Sequence, residues 1–343
     1  MFKYYSEINE INEIEGIYQI KISVPFPVQH VAVYIFHIDN FYVIFDAGLD
    51  MANWSKSFFL HLKNLKISLN QIDYCFISHE HLDHIGLIRK FKRKNPNIQV
   101  MLHEICHETL KWETDPKNYK EIEQIAKDTA KLMIKYGISE EQGKKLVEWF
   151  TIWPKLRTYF KPDKLLRDGD EISFKTNKLK IIWTPGHSLG HICVFDRNKR
   201  YLFSGDHILS RITPHIGNFI VNPILNEKYD FNDILESYLK SLNRIDNLNP
   251  KIIFPAHQEV IYNPHERILE IKEHHEKRLV EISSLIKNNP MTPSKVSQIH
   301  FGNNLDEFNS FLALSEVLGH LIYLEHQEKV KRIEKNGKFL FFS

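Results

Sequence analysis

Roughly the first 260 residues alternate between short apolar runs and turn residues, a pattern typical of strands with tight connections. IYQIKISV, HVAVYIFHI and FYVIFDAG, within residues 17–46, predict three strands because β-branched and aromatic residues dominate them. Helical spacing predicts a helix over 53–65, and QIDYCFIS predicts a buried strand that leads into a loop. Further strands are predicted at 98–102 and in LLRDGDEISF, KLKIIWTPG, HICVFD, RYLFSGD and KIIFPAH, with a helix at 231–247 before the last.

Residues 103–160 interrupt this rhythm with a helical pattern. EIEQIAKDTAKLMIKYG is amphipathic and ends at Gly137, and Ser139 with Gln142 forms a capping box for a second helix. We interpret this region as a helical insertion that carries Trp149 and Trp153. Two interpretations remain open: the insertion roofs a pocket, or it covers one flank of the core.

The C-terminal part has a different pattern. A long amphipathic helix over 267–287 precedes helices at 291–300 and 308–327, and Asn336-Gly337 predicts the turn of a final hairpin. Helix, helix and hairpin form a winged-helix pattern. We therefore predict two domains, residues 1–265 with the insertion and residues 266–343 with the long helix and the winged helix.

The composition is that of a globular protein, with 43% apolar and 26% charged residues among 343. These values exclude a disordered or collagen-like chain. The 45 basic and 43 acidic residues give a net charge of +2, so no overall electrostatic attraction to nucleic acid is predicted.

Cysteine usage and the amino terminus bear on location. Cys75, Cys106 and Cys193 are scattered and odd in number, so they predict no disulfide framework. The start of the chain has no apolar signal region, and no apolar run approaches the roughly 20 residues of a membrane span. We therefore expect a cytoplasmic protein without membrane contact.

The main chemical signal is the motif His79-Glu80-His81-Leu82-Asp83-His84, directly after a predicted strand. Imidazole and carboxylate groups at this density are typical of a site for a divalent metal ion, and a loop after a strand lets them converge. Glu80 alternates out of this set and is expected to be solvated. Further ligand candidates, each following an apolar strand and a tight turn, are His187, Asp206 and His257.

With these residues the chain resembles the metallo-β-lactamase superfamily over about residues 15–260, and Phe45-Asp46-Ala47-Gly48 matches the family's early Asp-x-Gly turn. The resemblance implies an α/β fold, a four-layer αββα sandwich, and two divalent metal ions. One ion would be bound by His79, His81 and His187, the other by Asp83, His84 and His257, with Asp206 bridging both. Asp46 would orient a ligand histidine. Pro-Ala-His at 255–257 departs from the Gly-His that the family often has.

The implied activity is hydrolysis, with a metal-bridging hydroxide as nucleophile and Asp83 assisting proton transfer. We expect a small carbonyl substrate, a thioester, lactone or ester, because the chain is similar to the glyoxalase-II-like and mitochondrial β-lactamase-like branches. His191 is expected to support a ligand from outside the metal centre. Arg211, His207 and His215 are candidates for a substrate cleft.

The sequence leaves other activities and metals open. A nuclease or phosphodiesterase of the same fold would use the basic residues of the C-terminal hairpin, although acidic residues of that unit weaken this hypothesis. A persulfide dioxygenase with a single iron is a further alternative. Zinc is the expected metal, but iron and manganese suit the same ligands. A homodimer is compatible with the C-terminal unit.

Overall fold

A computed structural model describes residues 9–24, 28–217, 225, 228–229 and 232–343. Its strands are β1 (Asn9–Ile14), β2 (Ile17–Ser23), β3 (His30–Ile38), β4 (Phe41–Phe45), β5 (Ile72–Phe76), β6 (Gln99–His103), β7 (Lys164–Leu166), β8 (Glu171–Ser173), β9 (Lys178–Trp183), β10 (Ile192–Asp196), β11 (Tyr201–Gly205), β12 (Ile252–Pro255), β13 (Lys331–Lys335) and β14 (Lys338–Phe342). Its helices are α1 (Ala52–Asn64), α2 (Leu82–Ile85), α3 (Ile88–Lys94), α4 (Glu104–Glu113), α5 (Tyr119–Lys135), α6 (Glu140–Leu156), α7 (Ile234–Asn247), α8 (Pro264–Ile286), α9 (Pro293–Phe301) and α10 (Glu307–His326). The predicted start of α7 at Phe231 lies outside the described residues.

Two mixed sheets pack face to face. The first has the order β1 to β7, and the second has the order β12-β11-β10-β9-β8. Between them lies an aromatic core in which Phe203 stacks on Phe36 at 4.5 Å and Tyr34 meets Phe254 edge-on at 5.4 Å.

Helices cover both outer faces of the sheets. Trp54 of α1 and Phe91 of α3 pack on the first sheet, whereas Tyr238 of α7 and Ile268 of α8 pack on the second. These layers confirm the expected four-layer αββα sandwich.

The run LLRDGDEISF is divided at its Asp-Gly turn into two short strands, which belong to different sheets. β7 pairs with β6 in the first sheet, and β8 pairs with β9 in the second. The chain crosses between sheets at a turn in which Asp170 accepts a hydrogen bond from the Arg167 backbone N–H at 2.9 Å. Gly169, with φ +81°, supplies the left-handed residue that this turn needs.

The helical hairpin α5–α6 packs against the C-terminal helices. Met133 and Leu146 of the hairpin share an apolar cluster with Ile282 and Leu314. The Ser294 backbone N–H also donates to the carbonyl of Tyr136 at 3.0 Å. The hairpin therefore covers a flank, but this flank belongs to the C-terminal part of the chain.

The C-terminal part follows the predicted order of helix, helix and hairpin. β13 and β14 pair antiparallel after α9 and α10. The 23-residue helix α8 joins this part to the sandwich, since Ile271 packs in the sandwich and Ile286 in the C-terminal cluster. The winged-helix assignment and the boundary at 265 stay predictions. Among the described residues, no helix is long and apolar enough to span a membrane.

Candidate metal centre

Strand direction brings the predicted ligands to one edge of the sandwich. β4 and β5 are parallel, and their carboxyl ends lead to Asp46 and His79. In the second sheet, β9, β11 and β12 run in the same direction, and they lead to His187, Asp206 and His257. A short helix, α2, begins within the motif and carries the neighbouring side chains Asp83 and His84.

Two groups of three side chains form at this edge. In each group, the potential ligand atoms lie within 4.8 Å of one another: His79, His81 and His187 in the first, and Asp83, His84 and His257 in the second. In the first group, Nδ1 of His81 lies 3.1 Å from Nε2 of His187. In the second, Nε2 of His257 lies 3.6 Å from Asp83.

Asp206 lies between the two groups. Its Oδ2 is 3.4 Å from Nε2 of His187, and its Oδ1 is 3.2 Å from Nε2 of His257. The same Oδ1 is 3.6 Å from Nε2 of His84. The two carboxylate oxygens therefore face different groups, which is the arrangement that a bridging ligand needs.

Several atoms of this cluster are buried without a hydrogen-bond partner among the described residues. They are Nε2 of His79, Nε2 of His84 and Oδ1 of Asp206. Leaving buried polar atoms unpaired costs about 1–3 kcal/mol each. Imidazole nitrogens and carboxylate oxygens that converge in this way fit a divalent cation, which would pair all three.

The opposite ring nitrogens are fixed by hydrogen bonds. Nδ1 of His257 pairs with the carbonyl of His30 at 2.6 Å, and Nδ1 of His187 pairs with the carbonyl of His215 at 3.1 Å. A carbonyl accepts, so both Nδ1 atoms carry the proton and both Nε2 atoms present a lone pair inward. The sequence does not reveal the roles of His30 and His215 here, because any residue can supply a carbonyl.

The Asp46 carboxylate holds Ser78 and His84 in position. Its carboxylate accepts from the Ser78 backbone N–H at 2.7 Å and from the Ser78 hydroxyl at 2.9 Å. It also lies 2.8 Å from Nδ1 of His84, the contact that its predicted role requires. The Ser78 hydroxyl lies 3.0 Å from Nδ1 of His79. Sequence reasoning missed Ser78, and its only signal was its position just before the motif.

His191 contacts Asp206 through the backbone. Its Nε2 accepts from the Asp206 N–H at 3.1 Å, and its Nδ1 pairs with the Thr184 hydroxyl at 2.8 Å. His191 is fully buried. It therefore supports a ligand candidate from outside the cluster, the position that the sequence predicts for it.

Glu80 is buried, so the expectation of a solvated side chain was wrong. Its Oε2 accepts from the Ser188 hydroxyl at 2.7 Å and from the Cys106 thiol at 2.8 Å. Alternation along the motif does turn Glu80 away from the predicted ligands. The side that it faces is the packed interior beneath α4 and not solvent.

The three predicted substrate residues do not converge. Arg211 is exposed, whereas His207 is fully buried beside Tyr238 and is not at a cleft surface. His215 pairs through Nε2 with Ser315 of α10 at 2.8 Å. A residue that does reach the centre is Trp153 of α6, whose ring lies edge-on to His81 at 6.2 Å.

The charges within the cluster are strongly coupled. Burial lowers the pKa of His79 and His81, and neighbouring imidazoles lower it further. Burial also acts to lower the pKa of His84, but nearby carboxylates, Asp206 first, raise it to about 10. Burial acts to raise the pKa of Asp206, yet His257 and other imidazoles hold it well below its ordinary value. The negative charge that favours a proton on His84 would equally attract a cation.

Comparisons with known proteins agree with this geometry. The chain is 27% identical over 322 residues to the Bacillus subtilis protein named "Probable metallo-hydrolase YqjP", covering 92% of this chain and 94% of that one. It is 28% identical over 174 residues to a Francisella tularensis hydroxyacylglutathione hydrolase, covering 47% and 62%. A metallo-beta-lactamase family protein from Thermus thermophilus superposes with a TM-score of 0.73 at 25% identity, covering 96% and 99%.

Family models match both parts of the chain. A model described as "Metallo-beta-lactamase-like, C-terminal domain" matches residues 279–343. The model of the metallo-beta-lactamase superfamily matches residues 26–257, a span that includes all seven predicted ligands. The chain therefore belongs to the metallo-beta-lactamase superfamily.

Proposed function

We propose that the protein is a metal-dependent hydrolase that cleaves a small carbonyl substrate, a thioester, lactone or ester. One observation carries this proposal: seven imidazole and carboxylate side chains converge at one sandwich edge, with buried lone pairs that lack partners among the described residues. The Francisella relative is named as a hydrolase of an acyl compound, which agrees with this substrate class.

Two divalent cations, zinc in our proposal, fit the two groups of ligands. His79, His81 and His187 would hold one ion, and Asp83, His84 and His257 would hold the other, with Asp206 shared between them. Bound there, the cations would supply a hydroxide nucleophile at neutral pH and polarise the carbonyl under attack. Mixed imidazole and carboxylate ligands suit zinc as well as iron or manganese.

The chain's own residues would position the ligands and move the proton. Asp83 has a side chain 13% exposed, so its carboxylate reaches the solvent side of the cluster. We assign it the transfer of the proton released by the attacking water. Asp46 and the carbonyls of His30 and His215 keep three ligand imidazoles in a fixed orientation.

An apolar surface beside the centre favours a substrate with an apolar part. Trp153 is 42% exposed next to His81, and its neighbours Ile152 and Leu156 are also exposed. The buried guanidinium of Arg157 lies 5.6 Å from the Trp153 ring centroid and forms an ion pair with Glu113, so the ring is held in place. Such a surface suits an acyl chain better than a phosphodiester.

The nuclease alternative is less favoured by the C-terminal hairpin. Arg332 donates to the Tyr136 hydroxyl at 3.0 Å and pairs with Glu325 at 3.3 Å. Lys338 donates to the carbonyl of Ile134 at 2.6 Å. Two of the basic residues therefore hold the hairpin against α5 and are less available for phosphate contacts.

The test combines elemental analysis with a substrate panel. We expect about two equivalents of metal per chain, hydrolysis of thioesters, lactones or esters, and loss of activity with EDTA that zinc restores. His79→Ala should abolish activity, and the matched control His265→Ala, whose side chain is 69% exposed on α8, should not.

Three results would contradict the proposal. The first is cleavage of RNA or a phosphodiester, and of no carbonyl compound, by the metal-loaded protein. The second is oxygen consumption with glutathione persulfide. The third is the absence of metal-dependent activity on every one of these substrates.

A further inference from the structure

Residues 207–217, here called the strap, connect Asp206 to the C-terminal helices. Arg267 of α8 donates to the carbonyl of Leu209 at 2.7 Å and to that of Ile212 at 3.0 Å. The Thr213 hydroxyl lies 3.4 Å from Nε2 of His274, also on α8. The strap is therefore attached to α8 along its first half.

The second half of the strap is attached to α10. Nε2 of His215 pairs with the hydroxyl of Ser315 at 2.8 Å, and Ser315 is only 1% exposed. The Ile216 backbone N–H donates to the Glu316 carboxylate. Gly217 has φ +147°, and a Cβ there would lie 2.5 Å from the Ser315 hydroxyl oxygen. Only glycine permits this close approach of strap and helix.

The strap also contacts the metal centre. The carbonyl of His215 accepts from Nδ1 of His187 at 3.1 Å, and Nε2 of His187 then faces His81 at 3.1 Å. His257 and His84, in contrast, are oriented by His30 and Asp46 of the first sheet and its edge. Among these three oriented histidines, His187 alone depends on a segment that the C-terminal helices hold.

We infer that Ser315 is a positioning residue, through which the C-terminal part of the chain orients His187. The inference rests on the proposed metal centre, of which His187 is one ligand. Without the Ser315 hydroxyl, the His215 ring keeps only its hydrogen bond to the backbone of Leu312 in α10, so its carbonyl should fix the ring of His187 less firmly. Loss of a group that hydrogen-bonds directly to a metal ligand weakens metal binding by about 10–100-fold, and Ser315 lies one contact further out, so its loss should have an effect at the low end of this range. The effect should concern only the ion held by His79, His81 and His187.

The experiment measures zinc affinity by chelator competition in the full-length protein. Ser315→Ala should weaken the binding of one of two zinc equivalents by roughly tenfold and leave the other unchanged. His215→Ala should weaken the same equivalent at least as much, and the double variant should be no worse than His215→Ala, because that variant already removes the hydrogen bond to Ser315. Ser297→Ala is the matched control, since it removes a buried hydroxyl from α9 outside the strap.

A second readout does not require metal. In ¹⁵N-histidine spectra of the EDTA-treated protein, His187 should carry its proton on Nδ1, and Ser315→Ala should give mixed tautomers. Wild-type affinity for both equivalents together with an unchanged tautomer would overturn the inference. Two bound equivalents without hydrolysis would instead contradict the proposed function and leave the role of Ser315 supported by the affinities.

Discussion

The carboxylate of Asp46 lies 2.8 Å from Nδ1 of His84, and both side chains are fully buried. Asp46→Asn keeps the shape but removes the charge that holds a proton on this nitrogen. We expect the second zinc equivalent to bind about 10–100-fold more weakly. Chelator competition measures this loss, and Asp115→Asn, at a helix cap that asparagine fills equally well, is the control. Unchanged affinity in Asp46→Asn would show that Asp46 has no orienting role.

Trp153 should determine the preference for the acyl chain. Trp153→Ala removes an apolar surface that covers part of a substrate, and a loss of about 1.4 kcal/mol corresponds to a tenfold lower kcat/KM. We expect this loss for long-chain thioesters and little change for acetyl thioesters. Leu132→Ala, an equally exposed apolar residue on α5, should change neither. An equal loss for all chain lengths would argue against a role in specificity.

A buried pair of histidines should make stability depend on pH. Nδ1 of His275 lies 3.1 Å from Nε2 of His320 between α8 and α10. Burial is the largest cause that lowers the pKa of His275, to about 2, and that of His320, to about 3, and the facing groups His274 and Arg278 contribute to both shifts. At these two positions the unfolded chain therefore binds more protons than the folded chain below pH about 6.5.

The stability that this pair contributes should consequently be fully present above this pH and be lost as the solution is acidified. Urea unfolding of the EDTA-treated protein between pH 6 and 4.5 measures the slope. Each buried neutral histidine contributes up to about 1.4 kcal/mol per pH unit, so His320→Gln should reduce the slope by roughly that amount. If the unfolding free energy of His320→Gln changed with pH as steeply as that of the wild type, His320 would be protonated in the folded state.

Glu80 should matter for stability despite lying within the metal motif. Glu80→Ala would leave the Cys106 thiol and the Ser188 hydroxyl without their acceptor, and Arg157 would lose a nearby negative charge. We expect a decrease of about 2–4 kcal/mol in the free energy of unfolding. Urea unfolding measures it, with exposed Glu121→Ala as the control. A change below about 0.5 kcal/mol would contradict the importance of this network.

The ligand cluster was accessible to sequence reasoning because each member follows an apolar strand. His187, Asp206 and His257 lie in separate parts of the chain, yet the same-direction strands β9, β11 and β12 bring them to one edge. The orienting groups were less accessible. The carbonyls of His30 and His215 have no residue signature, since every residue carries one.

Other differences arise from packing between distant segments. The burial of Glu80 depends on Ser188 and Cys106, which the sequence does not place beside it. The short helix α2 has only four residues, too few for a periodic pattern. The contact of the α5–α6 hairpin with the C-terminal cluster likewise joins segments that periodicity treats separately.

The first turns of helix α8 pack in the sandwich, and its last turns pack in the C-terminal cluster. Because one continuous helix packs in both apolar cores, we expect the two parts of the chain to unfold together. Heating should therefore produce one calorimetric transition, and cleavage within α8 would expose apolar surface on both fragments. We therefore expect the two family segments to unfold as one unit, with α8 as the physical link between the proposed role of Ser315 and the edge of the sandwich.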